Sequence, residues 1–426
     1  MPDPPADPDV AGPGTDLLAG VRVLDCSRVL AGPFATMLLG DLGADVIKVE
    51  NPAGGDDTRA WGPPDAGGES AYYLSINRNK RSLALDLKQP AGRDVLRRLA
   101  ARSDVLVENF RRGTMVGWGL AYSDLAAANP GLVYCTISGY GPLGPDAARP
   151  GYDFVAQAGS GLMSITGPPD GEPAKLGVAI VDLLTGLFAA NAILAALLGR
   201  ARSGRGAPIE VSLLESAVAA LINVGQNYLV TGRPAARYGN AHPNIVPYQT
   251  FAAADGWLAV AAGNDRQFAG LVQVLGRPEL ATDPRFATNA GRVAHRDVLV
   301  PLLAEELQQR PVAAWVAALD AVGVPVGPVL TVAEVLAGPQ VQALGLVREI
   351  DHPSAGRLRL LGSPLHIGAA RPPLRRPPPL LGEHSAEVLA ERLGLDGAEI
   401  AGLQATGVIK VRDRGPASTS ATVPDP

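Results

Sequence analysis

The sequence holds few cysteines and little excess charge. Its two cysteines among 426 residues, Cys26 and Cys135, are too few for a disulfide framework and lack the Cys and His spacing of a zinc site. Both fall in runs that predict buried strands, so we expect reduced thiols in the core and no bound metal. The formal net charge of −5 excludes a global attraction to nucleic acid or to anionic lipid. An anionic ligand would need a local group of basic side chains.

The two ends of the chain lack the features of targeting segments. Residues 1–16 are acidic and rich in proline, without a basic start or an apolar run, so we expect a disordered tail rather than a signal peptide. A second disordered tail is expected at 412–426, and the chain is expected to be cytoplasmic. Residues 183–199 are almost wholly apolar, at the short limit for a membrane span. We interpret them as a core helix of a soluble protein, with no membrane partner.

The order of the predicted elements indicates an α/β protein of two domains. Apolar runs that predict strands alternate with helical patterns through the first half of the chain, as in a mostly parallel sheet covered by helices on both faces. A hairpin around Asp255-Gly256 and several amphipathic helices then indicate a smaller α+β domain. We predict a large Rossmann-like domain at 17–231, a small domain at 232–328 and a return to the large domain at 329–411.

The opening strand–helix–strand pattern is typical of a dinucleotide-binding unit, but its turn lacks the required glycines. Glu50 ends the second strand, where an acid would hold a ribose. The turn at 28–33 reads Arg-Val-Leu-Ala-Gly-Pro, with a single glycine, and Pro33 removes an amide donor. The pattern of a P-loop is also missing from the sequence. We therefore expect no NAD, and a nicotinamide dehydrogenase is an alternative that the missing glycines disfavour.

Several runs of the sequence carry a recognisable pattern. These runs are VLAGPFATMLLGDLGADVIKVENPAGGDDTR (29–59), NRNKRSLALDLK (77–88), DVLVENFRRG (104–113), YDFVAQAGSGLMSITG (152–167), DLLTGLFAANAILAALLGRARSGRG (182–206) and GVPVGPV (323–329). Together they resemble the family III CoA-transferases, the CaiB/BaiF type that includes formyl-CoA transferase and alpha-methylacyl-CoA racemase. The resemblance covers about residues 17–395. It implies a Rossmann-like large domain, a small domain from the middle of the chain, and a homodimer of two interlocked rings. It also implies acyl-CoA and carboxylic acids as substrates, without metal, NAD or ATP.

The nucleophile of this family is an aspartate that opens a D-x-x-x-G helix, and the resemblance places it at Asp182, with Gly186. The ordinary interpretation of Asp182 is a helix N-cap or a first-turn acid. The field of the same helix is expected to keep Asp182 ionised, while apolar neighbours desolvate it in part and make it more nucleophilic. The implied mechanism is covalent, with an aspartyl acyl anhydride followed by an aspartyl-CoA thioester.

The resemblance also assigns residues that bind CoA. Those carried over by position are Leu30, Ala31, Asn51, Leu85, Asp86, Leu87, Lys88, Asn109, Phe110, Arg111, Gly151, Tyr152 and Asp153. The apolar members Leu85, Leu87 and Phe110 are equally typical of a hydrophobic core. Charge for the CoA phosphates is expected from basic side chains near these segments. These are Lys80, Arg81, Lys88, Arg111 and Arg112.

Three departures from the family pattern bear on the activity. Tyr152 replaces the histidine base of the racemase branch. Tyrosine, with a reference pKa of about 10, is a poor base for an α-proton. A racemase-like isomerase is therefore the alternative function and not the main prediction. Leu30 replaces a glutamine of formyl-CoA transferase, and His242-Pro243-Asn244 replaces its glycine-rich flap, so a formyl-CoA:oxalate-type transferase is a weaker alternative. An arginine and a lysine that contact CoA in that enzyme correspond to Gly117 and Pro150. The phosphate contacts therefore need another source.

The segment at 237–268, together with GYDFVAQAGSGLMSITG (151–167), looks most like the succinate–hydroxymethylglutarate CoA-transferase branch. That branch takes CoA from succinyl-CoA or a similar dicarboxyl-CoA. Arg237, His242 and Arg266 are expected to face the free carboxylate of such a substrate. The sequence therefore predicts a CoA-transferase that moves CoA from a donor such as succinyl-CoA to an acceptor carboxylic acid.

Overall fold

The computed structural model describes residues 14–412. Most of the two predicted tails therefore lies outside the described residues. Asp16, the last residue of the predicted N-terminal tail, forms an ion pair with Arg375. The fold therefore takes in the end of that predicted tail.

The described chain divides into two compact units. The first unit consists of the described residues up to Ser160, of Gly177–Leu221 and of the described residues from Gln340 onward, and the second consists of Gly161–Leu176 and Ile222–Pro339. The small domain predicted at 232–328 falls inside the second unit. That unit also includes a segment before the long helix, which the sequence did not indicate.

The strands and helices follow the predicted alternation. The strands are β1 Arg22–Asp25, β2 Asp45–Glu50, β3 Asp65–Ala66, β4 Glu69–Ser70, β5 Lys80–Leu85, β6 Val105–Glu108, β7 Val133–Ser138, β8 Pro208–Ser212, β9 Tyr248–Ala252, β10 Trp257–Ala261, β11 Val326–Pro328, β12 Val347–His352, β13 Gly356–Leu361 and β14 Ile409–Lys410. The helices are α1 Ala31–Asp41, α2 Ala71–Ile76, α3 Pro90–Ala100, α4 Thr114–Gly117, α5 Tyr122–Ala126, α6 Asp153–Gly159, α7 Leu162–Ile165, α8 Ile180–Ser203, α9 Leu213–Ala219, α10 Ile222–Thr231, α11 Asp265–Val274, α12 Asn289–Ala294, α13 Arg296–Leu307, α14 Val312–Asp320, α15 Val332–Ala337, α16 Pro339–Ala343, α17 Ser385–Leu393 and α18 Gly397–Ala405.

Seven strands of the first unit form one sheet in the order β14-β5-β2-β1-β6-β7-β8. β14 pairs antiparallel with β5, and every other neighbouring pair in this sheet is parallel. β6 is buried along its whole length, with three apolar residues followed by the buried acid Glu108. The predicted α/β class with a mostly parallel sheet is confirmed.

The core of the first unit packs amphipathic helices on this sheet. α3 begins with Pro90 at its first turn and buries Val95, Leu96 and Leu99. Both predicted thiols, at Cys26 and Cys135, are buried and free. Burial raises the pKa of each thiol, so both stay protonated and act as small apolar groups.

The second unit has its own sheet and core. β9 and β10 form the predicted hairpin, with Trp257 opposite Ala252 at its turn. β11 pairs antiparallel with β10 and completes a three-stranded sheet. Helices α11, α13 and α14 pack a separate apolar core against it, with Phe268, Leu303 and Trp315 fully covered.

Among residues 14–412, one helix, α8, is long and apolar enough to cross a membrane. Only 39% of its most apolar window is buried within the chain. The buried side carries Asp182 and Gly186, and the helix packs against α1. The exposed side carries Leu187, Phe188 and Leu198. This helix therefore has one face in the core and one apolar face that the chain leaves open.

Candidate active site

The candidate site lies where the strand order of the large sheet reverses. From β1 the sheet extends through β2 and β5 on one side and through β6, β7 and β8 on the other. In open parallel sheets a crevice forms at the carboxyl ends of the strands at such a point, and ligands bind there. Two adjoining cavities occupy this position, and Arg28, Asp57 and Phe110 line both of them.

The first cavity contains Asp182 and collects predicted residues from distant segments. The predicted residues that line it are Leu30, Ala31, Asn109, Phe110, Arg111, Gly151 and Tyr152. Tyr152 precedes α6 and its side chain is 57% exposed, so its phenol stands in the open part of the cavity. The structure therefore brings the first turn, the end of β6 and the start of α6 together in front of one carboxylate.

Asp182 is buried in the first turn of α8, and another acid caps the helix. Only 8% of Asp182 is exposed. The Oδ1 atom of Asp153 accepts the backbone N–H of Val181 at 2.7 Å and that of Asp182 at 3.3 Å. Asp153 therefore uses the helix donors, and the interpretation of Asp182 as an N-cap is wrong.

This environment makes Asp182 a weaker acid than an ordinary aspartic acid. Burial, and next the neighbouring Asp153 carboxylate, raise the pKa of Asp182 from 3.8 to about 7. A shift of this size is equivalent to about 4 kcal/mol, whereas a helix dipole contributes at most about 2 kcal/mol. Desolvation and the Asp153 charge therefore act against the helix field, which was expected to keep Asp182 ionised.

Gly186 explains the D-x-x-x-G spacing. A Cβ atom on Gly186 would lie 2.7 Å from the Ala31 carbonyl oxygen and 2.9 Å from the Phe34 ring. Only glycine permits such a close approach of α8 to the start of α1. Asp182 lies one helical turn before Gly186, so this contact brings the carboxylate next to the turn that precedes α1.

The second cavity lies beside β2 and β5. Asn51, Leu85, Asp86, Leu87 and Lys88 all line it, as the resemblance assigned. Leu85 and Leu87 also belong to the hydrophobic core of the unit, so their side chains form an apolar floor. Asn51 and Lys88 are exposed. This cavity therefore offers an apolar base with polar and cationic edges, which suits a purine ring bearing phosphates.

Two amides of the turn before α1 are bonded within the chain and are not free to bind a pyrophosphate. The N–H of Arg28 donates to Asn109 Oδ1 at 2.9 Å, and the N–H of Val29 donates to Asp56 Oδ1 at 3.2 Å. A dinucleotide site needs such amides for the phosphate. The geometry of this turn therefore agrees with the missing glycines of the sequence.

For two basic residues, the predicted contact with the CoA phosphates is wrong. Lys80 is fully buried and pairs with Asp25 at 2.9 Å, and Arg81 pairs with Asp45, Glu387 and Glu391. They serve the core because β5 points them into the sheet and its covering helices.

Two of the predicted cations, Arg111 and Arg112, line the first cavity, and Arg28 and Arg149 line it with them. Arg149 stands beside Asp146 at 3.0 Å, and its guanidinium lies 4.9 Å from the centre of the Tyr140 ring. Because Arg149 directly precedes Pro150, it supplies a cation next to the position where formyl-CoA transferase has its lysine.

Arg237 lies in the second unit and is already bound. Its guanidinium donates to the carbonyl oxygens of Pro168 at 3.1 Å and Gly171 at 2.8 Å. These bonds join two segments of the second unit. The expectation that Arg237 faces a free substrate carboxylate is wrong, because main-chain carbonyls hold its guanidinium.

The predicted flap is an ordered loop of the second unit. The N–H of Asn244 donates to His242 Nδ1 at 3.0 Å, and the His242 ring packs 5.3 Å from that of Tyr248. Pro243 and Asn244 line a cavity of this unit. Arg266 is exposed in the first turn of α11.

Tyr72 is a candidate site residue that the sequence interpretation missed. Its ring stands edge to face against Trp61, with ring centres 5.1 Å apart. Burial, and next the carboxylates of Asp182 and Asp153, raise the pKa of Tyr72 to about 12. Its phenol is therefore a neutral hydrogen-bond donor within the field of the candidate nucleophile. The adjacent Tyr72 and Tyr73, in a chain with 5% aromatics, were the signal available in the sequence.

Comparisons with known proteins give the family of the chain. The chain matches CoA-transferase family III over residues 18–385. A succinyl-CoA:glutarate CoA-transferase of Homo sapiens is 47% identical over 392 residues, which are 92% of this chain and 90% of that protein. A succinate–glutarate CoA-transferase of Agrobacterium fabrum is 47% identical over 382 residues, which are 88% of this chain and 95% of that protein.

A solved structure shows the same fold. A CAIB/BAIF family protein from Brucella suis superposes with a TM-score of 0.78 at 46% identity, covering 88% of this chain and 99% of that one. The relatives are named as CoA-transferases, so the predicted class of reaction is confirmed. The chain belongs to CoA-transferase family III.

Proposed function

We propose that this CoA-transferase takes CoA from a dicarboxyl-CoA donor such as succinyl-CoA and gives it to a short dicarboxylic acid such as glutarate, with Asp182 as the nucleophile. The observation that carries the proposal is a buried carboxylate in a cavity that four arginines line. The names of two relatives, each 47% identical, point to this pair of acids. Arginines suit substrates that carry a second carboxylate.

The chemistry proceeds through covalent intermediates on Asp182. The carboxylate attacks the thioester carbonyl of the donor, and the C–S bond breaks to give an anhydride and CoA thiolate. The thiolate attacks the aspartyl carbonyl and expels the donor acid, which leaves an aspartyl-CoA thioester. The acceptor carboxylate attacks this thioester, releases the thiolate and forms a second anhydride. The thiolate then attacks the acceptor's acyl carbonyl, which forms the new CoA ester and restores the carboxylate.

Burial of Asp182 serves this chemistry in two ways. A carboxylate with few waters around it loses less solvation when it attacks, so it is a stronger nucleophile than in water. A site that excludes water also protects the anhydride from hydrolysis. The same burial leaves about half of Asp182 protonated at pH 7, where its pKa lies.

The two cavities together accommodate the two ends of a CoA ester. In this arrangement the adenosine lies in the second cavity, against Leu85 and Leu87, with Lys88 at its edge. The pantetheine arm passes Phe110, which lines both cavities, and the thioester reaches Asp182. The basic side chains between the two ends neutralise the phosphates.

We propose that two chains form a homodimer, as interlocked rings. The exposed apolar face of α8, with Leu187, Phe188 and Leu198, supports this proposal, because burial of such a face by a second copy is favourable. Light scattering on the purified protein is expected to give twice the mass of one chain. A mass equal to one chain at micromolar concentration would contradict the dimer.

We place the enzyme in the cytoplasm. Two buried and unpaired cysteines are typical of proteins kept in a reducing compartment. Fractionation of the source cells, followed by an antibody to this chain, tests the placement.

A panel of acyl-CoA donors and carboxylic acids, analysed by mass spectrometry for new CoA esters, tests the reaction. Succinyl-CoA with glutarate is expected to give glutaryl-CoA. Asp182→Ala and Asp182→Asn are each expected to lower transfer at least about 10³-fold, because neither side chain forms the anhydride. Asp94→Asn, an exposed change on α3, is the control.

Two results would overturn the proposal. Retained transfer in both Asp182 variants would remove Asp182 as the nucleophile. Incorporation of deuterium at the α-carbon of a 2-methylacyl-CoA, without CoA exchange between any acids, would favour an isomerase instead.

A further inference from the structure

The turn between β1 and α1 holds a strained residue in front of Asp182. Val29 has a φ of +70°, in the left-handed region that β-branched side chains avoid. Its neighbours Leu30 and Ala31 line the Asp182 cavity with it. A strained conformation of this kind persists only where surrounding groups impose it.

Asn109 brackets the residue before the strained one. Its Oδ1 atom accepts the N–H of Arg28 at 2.9 Å, and its Nδ2 atom donates to the carbonyl oxygen of Arg28 at 2.8 Å. Asn109 follows β6, which pairs in parallel with β1, so its side chain joins the segments that follow the two strands. Both polar atoms of the Asn109 amide therefore serve the turn.

A buried ion pair holds the other side of the turn. Lys48 Nζ donates to the carbonyl oxygen of Ser27 at 3.1 Å and pairs with Asp56 Oδ2 at 2.8 Å. The other oxygen of Asp56 accepts the N–H of Val29 at 3.2 Å. Both side chains of this pair are fully buried. Four consecutive backbone groups, from the Ser27 carbonyl to the Val29 N–H, are therefore bonded to side chains from other segments.

We propose that Asn109 is a positioning residue, which with the Lys48–Asp56 pair holds Val29 at positive φ and so shapes the wall of the cavity in front of Asp182. This differs from the role that the resemblance assigned to Asn109, which was direct contact with CoA. The inference rests on the proposed function, in which the Asp182 cavity is the place of acyl transfer.

A cycle of two substitutions tests the proposal, with the donor and acceptor pair that the panel identifies. Asn109→Ala is expected to lower kcat by about 100-fold, the effect of a misplacement of about 1 Å, while the KM for the acyl-CoA changes less than about threefold. Glycine adopts positive φ about as readily as negative φ. In a Val29→Gly background the Asn109→Ala change is therefore expected to cost no more than about 10-fold in kcat.

Two further variants make the result specific. Asn109→Asp keeps the acceptor for the Arg28 N–H and loses the donor to its carbonyl, so it is expected to fall between the parent and Asn109→Ala in kcat. Asn129→Ala is the matched control, because Asn129 also donates to two backbone carbonyls, of Ala100 and Ser103, but at the amino ends of β6 and β7. It is expected to lower the melting temperature and leave kcat unchanged.

Direct binding of CoA by Asn109 predicts a different result in these experiments. If Asn109 binds CoA directly, Asn109→Ala raises the KM for the acyl-CoA and the Kd for CoA measured by calorimetry, leaves kcat intact and acts independently of Val29→Gly. That outcome overturns the proposal. Asp182→Ala measured alongside separates the two claims, because retained transfer in that variant speaks against the nucleophile and not against the coupling of positions 29 and 109.

Discussion

Asp153 caps the helix that carries Asp182, and the two carboxylates therefore share one helix terminus. Asp153 accepts the N–H groups of both Val181 and Asp182, and Gln157 donates to its second oxygen at 2.6 Å. The negative charge that completes the helix thus raises the pKa of its neighbour. This arrangement determines the protonation state of the candidate nucleophile.

Removal of the Asp153 charge should move the pH profile of transfer. At pH 6 only about a tenth of Asp182 is a carboxylate if its pKa is about 7. Asp153→Asn keeps an oxygen that accepts the Val181 N–H but removes the charge, so the pKa of Asp182 falls. We expect the acid limb of the kcat profile to move to lower pH and the rate at pH 6 to rise relative to that at pH 8.

The control for this prediction is Asp94→Asn, which removes an equal charge from the exposed face of α3. It should leave the acid limb in place. An acid limb that stays unchanged in Asp153→Asn would show that a group other than Asp182 controls the profile.

The stability of the protein should depend on pH through Asp182. Its folded pKa of about 7 exceeds its ordinary value of 3.8, so between these pH values the folded state binds more protons than the unfolded state. The free energy of unfolding therefore falls as pH rises across this range. We expect Asp182→Asn to be more stable than the parent by about 2–4 kcal/mol at pH 8 and equally stable below pH 4.

Thermal unfolding at pH 4, 6 and 8 measures this difference. A pH-independent difference would mean that Asp182 does not titrate near neutral pH. Asp94→Asn again serves as the control, because an exposed carboxylate contributes little at any of these values.

Two glycines of the same helix should respond in opposite ways to alanine. At Gly186 a Cβ would overlap the Ala31 carbonyl, so Gly186→Ala should cost about 1–3 kcal/mol and lower kcat by roughly 100-fold through displacement of Asp182. At Gly199 a Cβ meets no described atom within 4 Å, so Gly199→Ala should stabilise α8 by about 0.5–1 kcal/mol.

Urea unfolding and steady-state kinetics on both variants measure these effects. If Gly186→Ala has the same stability and kcat as Gly199→Ala, the close contact of α8 with α1 does not position the nucleophile.

Lys88 at the edge of the second cavity should act on CoA and not on the acceptor acid. A charge-assisted bond to a phosphate contributes about 1.5–3 kcal/mol, so Lys88→Ala should raise the KM for the acyl-CoA by about 10-fold or more. The effect should vanish with a pantetheine thioester that lacks the phosphates. Lys410→Ala, an exposed lysine on β14, is the matched control. A raised KM for the acceptor acid alone would place the acceptor, rather than CoA, at Lys88.

Local patterns in the sequence were sufficient for the elements and for the family. The contiguous apolar residues at 105–107 are typical of a buried strand, and the structure has β6 at Val105–Glu108. The apolar pattern after β8 continues to about residue 229, but α9 and α10 are separate helices, and Ile222, the first residue of α10, takes a positive φ. A single backbone angle of this kind leaves no mark in an apolar pattern.

What each polar side chain does was decided only by tertiary contacts. Lys80 and Arg81 carry charges that suit phosphates, but their strand faces the core, where acids from other segments take them. Arg237 was expected at a substrate carboxylate and instead binds two carbonyls. The partners in each case are distant in the sequence, so composition and spacing hold no information about them.

The sequence by itself determined the α/β class, the family and the position of the aspartate that opens α8, because periodicity and short motifs are local properties of the chain. The tertiary structure decided that this aspartate is a weaker acid than usual, because its desolvation and its distance from the Asp153 charge depend on the groups folded around it. It also decided that Asn109 brackets the turn at Arg28, because that contact joins the ends of two parallel strands 81 residues apart.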